Sequence, residues 1–435
     1  MKVLFMTRHF IAGDLARRLS LDGHEVKLQP LCEHEKAKCS FDGMIEKTTD
    51  WKHELSWVGK DGLIIFDDIG FGKIQDELRV QGFQVFGGSE GAEKLEIDRE
   101  YGQKIFKEHG LQTVPLFNFS TPQKALSFLE KNPGRWVIKQ NDHISKDITY
   151  IGYQETGDDV ISVLENYACD PLICNCAITL HKYVEGIEIG VGRYFNGNDW
   201  VGPIEINLEH KRFFPGDLGP MTSEMGTLAW YSDDEEVLFE KILKPLTQFL
   251  RTTNFRGDFE INCMANKDGL FPIEATTRFG TPIIHLQQEI HQSSWAEFLL
   301  AVARGESFDL DWKRGFGVVI LLAVPPFPYT TSIHRAEHTY NNISIYLNQL
   351  SVEEKKHFYF EDVTYDADKK RYRISGDDGY VGYVASVAET VLEAQKKVYD
   401  IAKKIIIPKV MYRNDIGTAF IEGQYQQLKD WGYLK

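Results

Sequence analysis

Short apolar runs separated by amphipathic stretches open the chain. Residues 2–6, 25–29, 62–66 and 83–87 predict strands, and 14–21 and 73–81 predict helices between them. Apolar strands alternating with helical patterns predict a parallel sheet covered on both faces, a Rossmann-type lobe. It lacks the Gly-x-Gly-x-x-Gly turn that lets a dinucleotide approach the backbone, so a nicotinamide cofactor is not expected. One helix is predicted over 90–109, with Leu95, Tyr101, Ile105 and Phe106 as its apolar positions and Gly110 as its stop. A compact α+β stretch follows to about residue 182, with helices near 122–131 and 158–167. Strands then dominate to about 325, with helices expected over 235–252 and 294–304. The last hundred residues predict hairpins and a helix over 387–404. The boundaries expected from this pattern are 1–104 for the N-terminal lobe, 105–325 for a central domain whose small lobe spans about 115–185, and 326–435 for a C-terminal α+β domain.

The polar positions of one strand pair carry the most pointed chemistry. Asp258, Glu260 and Asn262 alternate with Phe259, Ile261 and Cys263, and after an Asn-Lys-Asp-Gly turn Glu274 and Thr276 alternate with Ile273 and Ala275. Folding this hairpin about Lys267 sets Glu260 opposite Glu274, where two like charges repel unless a cation lies between them. Magnesium suits such a pair, because it takes oxygen ligands from one or two carboxylates and nucleotide phosphates; Arg278, just beyond, is placed to hold those phosphates. Lys139 points away from Trp136 and Ile138 on its strand, and a polar loop leads on to Lys146, so the two lysines suit a triphosphate. Glu188 points away from Ile187 and Ile189, where a carboxylate accepts from ribose hydroxyls, and the backbone of Lys182, Tyr183 and Val184 is available to adenine.

Composition narrows the class. The 435 residues carry 64 acidic and 49 basic side chains, a formal charge of −15, which argues against a nucleic-acid backbone as partner and for small-molecule substrates. Six cysteines are too few for a disulfide framework, and neither Cys32, His34 and Cys39 nor Cys169, Cys174 and Cys176 has zinc-site spacing. The opening MKVLFMT lacks the features of a secretory leader, and the longest apolar run, 317–327, is interrupted by prolines, so a cytoplasmic protein without membrane contact, monomeric or homodimeric, is expected.

In order along the chain, these segments resemble the ATP-grasp superfamily, and within it the phosphoribosylamine–glycine ligase family. The likeness runs nearly end to end: 82–106, the His-Lys-Arg of EHKRFFPGDLGPMTSEMG (209–226), FRGDFEIN, PIEATTRFG, the 317–329 run, and YRNDIG at 412–417. It implies an ATP-grasp fold behind the Rossmann-like domain, with ATP and magnesium (or manganese) as cofactors. By the same resemblance Arg99 stands at a nucleotide-contacting helix start, Lys139 on the α- and β-phosphates and Glu188 on the ribose. Glu260 and Glu274 match the metal acids, Thr276 stands at the metal asparagine, and Arg278 lies near the transferred phosphate.

Departures from the family bear on the substrate. The glycine-rich loop that holds the phosphoribosylamine is replaced by MTRHFIAGDLARR (6–18), a second substrate turn by FDDIGFGK (66–73), and the triphosphate loop reads NDHISKD (141–147). Glu224 stands among the small residues of MTSEMG. The sequence therefore predicts an ATP-dependent carboxylate–amine ligase with an altered amine substrate, an ammonium group facing Glu224. The alternatives are the purine-synthesis ligase itself, with Arg8, His9, Arg17 and Arg18 gripping the phosphate, and a non-catalytic nucleotide-binding protein.

Overall fold

The computed structural model describes residues 1–31, 39–140, 149–233, 236–329 and 340–435. Five parallel strands, β1 (Lys2–Thr7), β2 (Glu25–Pro30), β3 (Glu46–Lys47), β4 (Leu63–Phe66) and β5 (Gln84–Phe86), stand in the order β3-β2-β1-β4-β5. Val3 and Phe5 bury on one face and Leu4 and Met6 on the other, which is why β1 reads as an uninterrupted apolar run. The winding reverses between β1 and β4, and in open parallel sheets the crevice beyond such a switch point is where ligands bind. Helices α1 (Gly13–Leu21), α2 (Trp51–Val58) and α3 (Gly72–Val80) belong to this lobe. β3 and α2 had no sequence expectation; β3 is a Glu-Lys pair without an apolar signal.

The single helix expected over 90–109 is two, α4 (Glu90–Ile97) and α5 (Arg99–Glu108). Asp98 has extended backbone, and its carboxylate accepts from the amides of Glu100 and Tyr101 at 3.1 and 3.0 Å, an N-cap set inside a continuous apolar periodicity. The small lobe is an antiparallel sheet of β6 (Leu116–Phe119), β7 (Trp136–Gln140), β8 (Tyr150–Ile151) and β9 (Ile178–Lys182) in the order β6-β9-β7-β8. Helices α6 (Pro122–Leu129) and α7 (Asp158–Cys169) complete a core of its own, built on Leu129, Ile138, Leu164 and Leu180.

The large sheet contains β10 (Ile187–Asn196), β11 (Trp200–Glu209), β14 (Gly226–Ser232), β15 (Arg256–Asn266), β16 (Gly269–Thr276), β17 (Phe316–Ala323), β19 (Phe358–Phe360) and β22 (Tyr380–Ala388). Its order is β16-β15-β10-β11-β14-β17-β22-β19, so two strands from beyond residue 326 extend it. β12 (Arg212–Phe214) pairs with β13 (Leu218–Met221), and β18 (Ser344–Ile345), β20 (Val363–Asp366) and β21 (Arg371–Ile374) form a third small sheet. The helix expected over 235–252 is interrupted: residues 239–246 depart from α geometry around Pro245, which has no amide to donate. The helix expected over 387–404 begins later, at Val391, because β22 runs to Ala388 and Thr390 forms a reciprocal cap with Glu393. Among the described residues no helix is long and apolar enough to cross a membrane.

Candidate active site

The hairpin β15–β16 forms as expected, but its register does not. The turn centres between Lys267 and Asp268 instead of on Lys267, and a bulge slips the pairing once more between Asn262 and Cys263, so Glu274 lies opposite Asn262, and Glu260 lies opposite Thr276. An extra residue in β16 cannot be read from alternation, because the polar face resumes after it. Pairing continues across β10 and β11 to give two rows on one face: Thr276, Glu260, Gly192 and Glu205, then Glu274, Asn262, Gly190 and Asn207. Gly190 is required here, since a Cβ would stand 2.2 Å from the Asn207 amide oxygen.

The expected repulsion between two acids is replaced by a cluster in which cations outweigh it. Glu274 accepts from Arg99 at 2.9 Å and from Lys211 at 3.2 Å; Lys211 also donates to Glu188 at 2.6 Å and lies 2.8 Å from Glu209. Burial alone would raise the Glu274 carboxyl, but Lys211, Lys139 and Arg99 hold it well below the ordinary carboxylate range. Lys139 reaches this cluster from β7. Burial first, then the charges of Arg99 and Lys211, brings its ammonium down to about 8 against the pull of Glu274 and Glu188. It makes no hydrogen bond or ion pair among the described residues, which leaves its charge for a ligand. Beside it the buried His181 is kept neutral by burial and by Lys139 and Arg99.

Deeper on the same face the acids form no ion pair among the described residues. Glu260 accepts from Asn207 at 2.9 Å, and burial with Glu205, Glu209 and Asp258 around it pushes its carboxyl well up. Burial takes Glu205 to about 8 and Asp258 to about 7, and Gln287 ties the two together at 2.9 Å each. Glu224 is buried too, bonded to Thr227, and is pushed up by burial and by Glu209.

Among the described residues no three His, Cys, Asp or Glu side chains converge as a metal cage. The two rows do present hard oxygen donors: the Glu260 and Glu274 carboxylates, the Thr276 hydroxyl, and the buried amide oxygen of Asn262, which has no hydrogen-bond partner. That set fits magnesium, which takes one or two protein carboxylates and completes its octahedron with phosphates and water. Asn262 lies directly opposite Glu274 and offers an amide oxygen where Thr276 offers none.

Arg278 stands at the edge of the cleft. Its Nε donates to Glu96 at 3.0 Å and lies 3.8 Å from Asp68, and Thr277 also donates to Glu96. Of the backbone expected to meet adenine, the Lys182 and Tyr183 amides donate to the carbonyls of Pro115 and Arg135, which leaves the Val184 amide. Lys146 lies outside the described residues. Arg17 and Arg18, considered for a phosphate, are bonded to Asp14 at 2.8 and 2.6 Å. The sequence reading assigned no role to Lys211 or Asn262. The His-Lys-Arg motif was the signal for Lys211, but two of its three carboxylate partners, Glu188 and Glu274, come from other strands.

Residues 97–283 match the family described as "Phosphoribosylglycinamide synthetase, ATP-grasp (A) domain". Among curated relatives, the phosphoribosylamine–glycine ligase of Helicobacter pylori is 26% identical over 403 residues, covering 90% of this chain and 87% of that protein. That of Streptococcus pneumoniae is 23% identical over 418 residues, covering 93% and 91%. The crystal structure of phosphoribosylamine–glycine ligase from Thermotoga maritima superposes with a TM-score of 0.73 at 19% identity, covering 96% of this chain and 100% of that one. Biotin carboxylase from Campylobacter jejuni, solved with a β,γ-ATP ligand, superposes with a TM-score of 0.64 at 12% identity, covering 97% and 95%. Over residues 97–283 the chain carries an ATP-grasp domain of the phosphoribosylglycinamide synthetase kind, and nearly end to end it is similar to ligases that form C–N bonds.

Proposed function

We propose that the protein is a cytoplasmic, ATP-dependent carboxylate–amine ligase that works with magnesium or manganese on two small molecules. The observation that carries this reading is the meeting, between two lobes, of Lys139 on β7, Arg99 on α5, Lys211 just past β11, and Glu188 and Glu274 on the large sheet. Catalysis of this kind needs positioning and charge neutralisation more than covalent help from the protein. Lys139 carries a charge with no internal partner and takes the α- and β-phosphates; Glu188 accepts from the ribose; the Val184 amide faces adenine. A triphosphate draws Arg99 and Lys211 off Glu274, and this carboxylate then turns to the cation. Magnesium, held by Glu260, Glu274, Thr276 and Asn262, supplies charge neutralisation at the phosphates when bound. Glu260 gives up its proton to do so, as any carboxylate ligand must.

The substrate carboxylate attacks the γ-phosphorus and ADP departs. The amine nitrogen then displaces phosphate from the acyl carbon and leaves an amide. Arg278 neutralises the transferred phosphoryl group, and the separately cored small lobe closes to exclude water from the acyl phosphate. ADP release measured against pooled carboxylic acids and amines tests the reading: turnover requiring one acid and one amine supports it, and nucleotide binding without turnover on any pair defeats it. The names of the relatives favour a second reading, authentic phosphoribosylamine–glycine ligase, for which glycine and freshly made phosphoribosylamine suffice as substrates.

A further inference from the structure

Beyond the C-terminal ends of β1 and β4, at the switch point of the parallel sheet, acids from two distant parts of the chain meet. Asp67 and Asp68 follow β4, and Glu361 and Asp362 lie between β19 and β20. The field around Glu361 includes Asp362, Asp67 and Asp14, and that around Asp362 includes His9, Asp377 and Asp378. Gly376 permits the close approach of this segment, since a Cβ there would stand 2.1 Å from the Asp362 carboxylate. His9, bonded to Asp68 at 2.5 Å and with its side chain 67% exposed, stands at the mouth.

Asp362 accepts from Ser40 at 2.8 Å, but among the described residues two of these acids keep an oxygen without a partner. Asp67 is fully buried; one of its oxygens accepts from Thr7 and the Ala12 amide, while the other has no partner. Glu361 Oε2 and the Tyr383 hydroxyl, both buried, also lack hydrogen-bond partners. The base nearest Glu361 Oε2, His285 Nε2 at 3.7 Å, is held neutral by burial, its pKa down at about 3. Among the described residues, the arginines around the seam already have partners. Arg17 and Arg18 are fixed on Asp14, Arg278 on Glu96, and Arg8 lies over the Phe71 ring at 4.8 Å. A phosphate entering this seam meets buried carboxylates, whereas an ammonium group finds oxygens that still lack a donor.

We propose that this seam is the amine-substrate pocket and that it takes a small amine with a second, non-reacting cationic group, a diamine or basic amino acid, in place of a phosphorylated amine. The assignment of the pocket to the amine rests on the ligase reading; its preference for a cation rests on Asp67, Glu361 and Asp362 alone. One ammonium group sits against these acids and the second nitrogen points past Asp68 toward Arg278, where the seam meets the cleft. The nucleophilic nitrogen must arrive neutral, and the Asp68–His9 pair is placed to take its proton.

Calorimetry on the full-length protein tests this with 1,4-diaminobutane, L-lysine and ribose 5-phosphate as probes and magnesium ATP titrated separately. The expected result is binding of diamine or lysine and none of ribose 5-phosphate, with affinity lowered at least tenfold in Asp362→Asn and in Asp67→Asn and ATP affinity unchanged in both. Asp362 is half-buried and its replacement isosteric, so this variant remains informative if Asp67→Asn fails to fold. Binding of ribose 5-phosphate but neither amine, or amine binding unaffected in Asp362→Asn, overturns the proposal. Failure of ATP to bind while diamine still does defeats the ligase reading and leaves the cationic pocket standing.

Discussion

The nucleotide cleft and the switch-point seam are both rich in carboxylates, but they handle their charge in opposite ways. In the cleft Glu188, Glu209 and Glu274 share Lys211, with Arg99 and Lys139 beside them, and Glu274 stays ionised under that field. In the seam burial takes Asp67 to about 7, with Asp68 adding to it, and burial with Asp362 and Asp67 beside it pushes the Glu361 carboxyl well up. A resting site whose acids already hold cations is prepared to exchange them for a metal and phosphates. One whose acids hold protons is prepared to receive a cation. The same residue type therefore serves anionic and cationic ligands according to what the fold sets opposite it.

The sharpest way to break this contrast is at Glu274. Glu274→Gln is expected to lower ADP formation by about 10²–10³-fold, the scale of losing one preorganised charge at a reacting phosphate. Because this carboxylate is paired with Arg99 and Lys211, the variant should also lose about 1–3 kcal/mol in urea denaturation. The repulsion expected from the unbulged hairpin predicts no loss of stability, so the denaturation curve separates the two registers.

Lys211→Met should cost about 3 kcal/mol of stability, since it strips the shared partner from three carboxylates and leaves them facing one another. Unchanged stability would show that the cleft acids do not depend on it. Lys139→Met should behave differently, weakening ATP binding by about 10–100-fold without lowering the melting temperature, because a lysine without internal partners contributes through its ligand. The sign with pH follows. With Lys139 at about 8, ATP affinity should decline as pH rises through 8 and the ammonium is lost, and Lys139→Arg should remove that decline.

The mildest test lies in the seam. Asp67 is protonated more readily folded than unfolded, so between about pH 4 and 7 the folded state binds more protons and its contribution to stability falls as pH rises. Asp67→Asn should flatten that fall by about 1–3 kcal/mol, read from urea midpoints at pH 4.5 and 7. A slope identical to the parent would place Asp67 outside the buried set.

Much of the architecture was legible because it is written in local periods. The β1, β4 and β7 runs, the polar alternation of β15, and the outward placement of Lys139 and Glu188 follow from the two-residue repeat of strands. What escaped has two physical origins. A bulge in β16 and an N-cap at Asp98 each interrupt a period without changing the apolar count, so the hairpin register and the break between α4 and α5 stayed hidden. The rest depends on long-range meetings: Lys211 with Glu188 and Glu274, Gln287 with Glu205 and Asp258, and Asp67 with Glu361. No pattern along the chain signals a partner tens or hundreds of residues away.

The corner at Asp98 joins the two regions mechanically. On its N-terminal side α4 presents Glu96, which holds Arg278 and Thr277 at the border of the seam; on its C-terminal side α5 begins with Arg99, which holds Glu274 in the cleft. Two ion pairs, one for each site, thus hang from a single capped residue. A ligand that changes the grip of either pair works against the other through that pivot, and linkage requires the effect to be mutual. Whatever factor nucleotide binding contributes to the affinity for the amine, the amine returns to the nucleotide in equal measure.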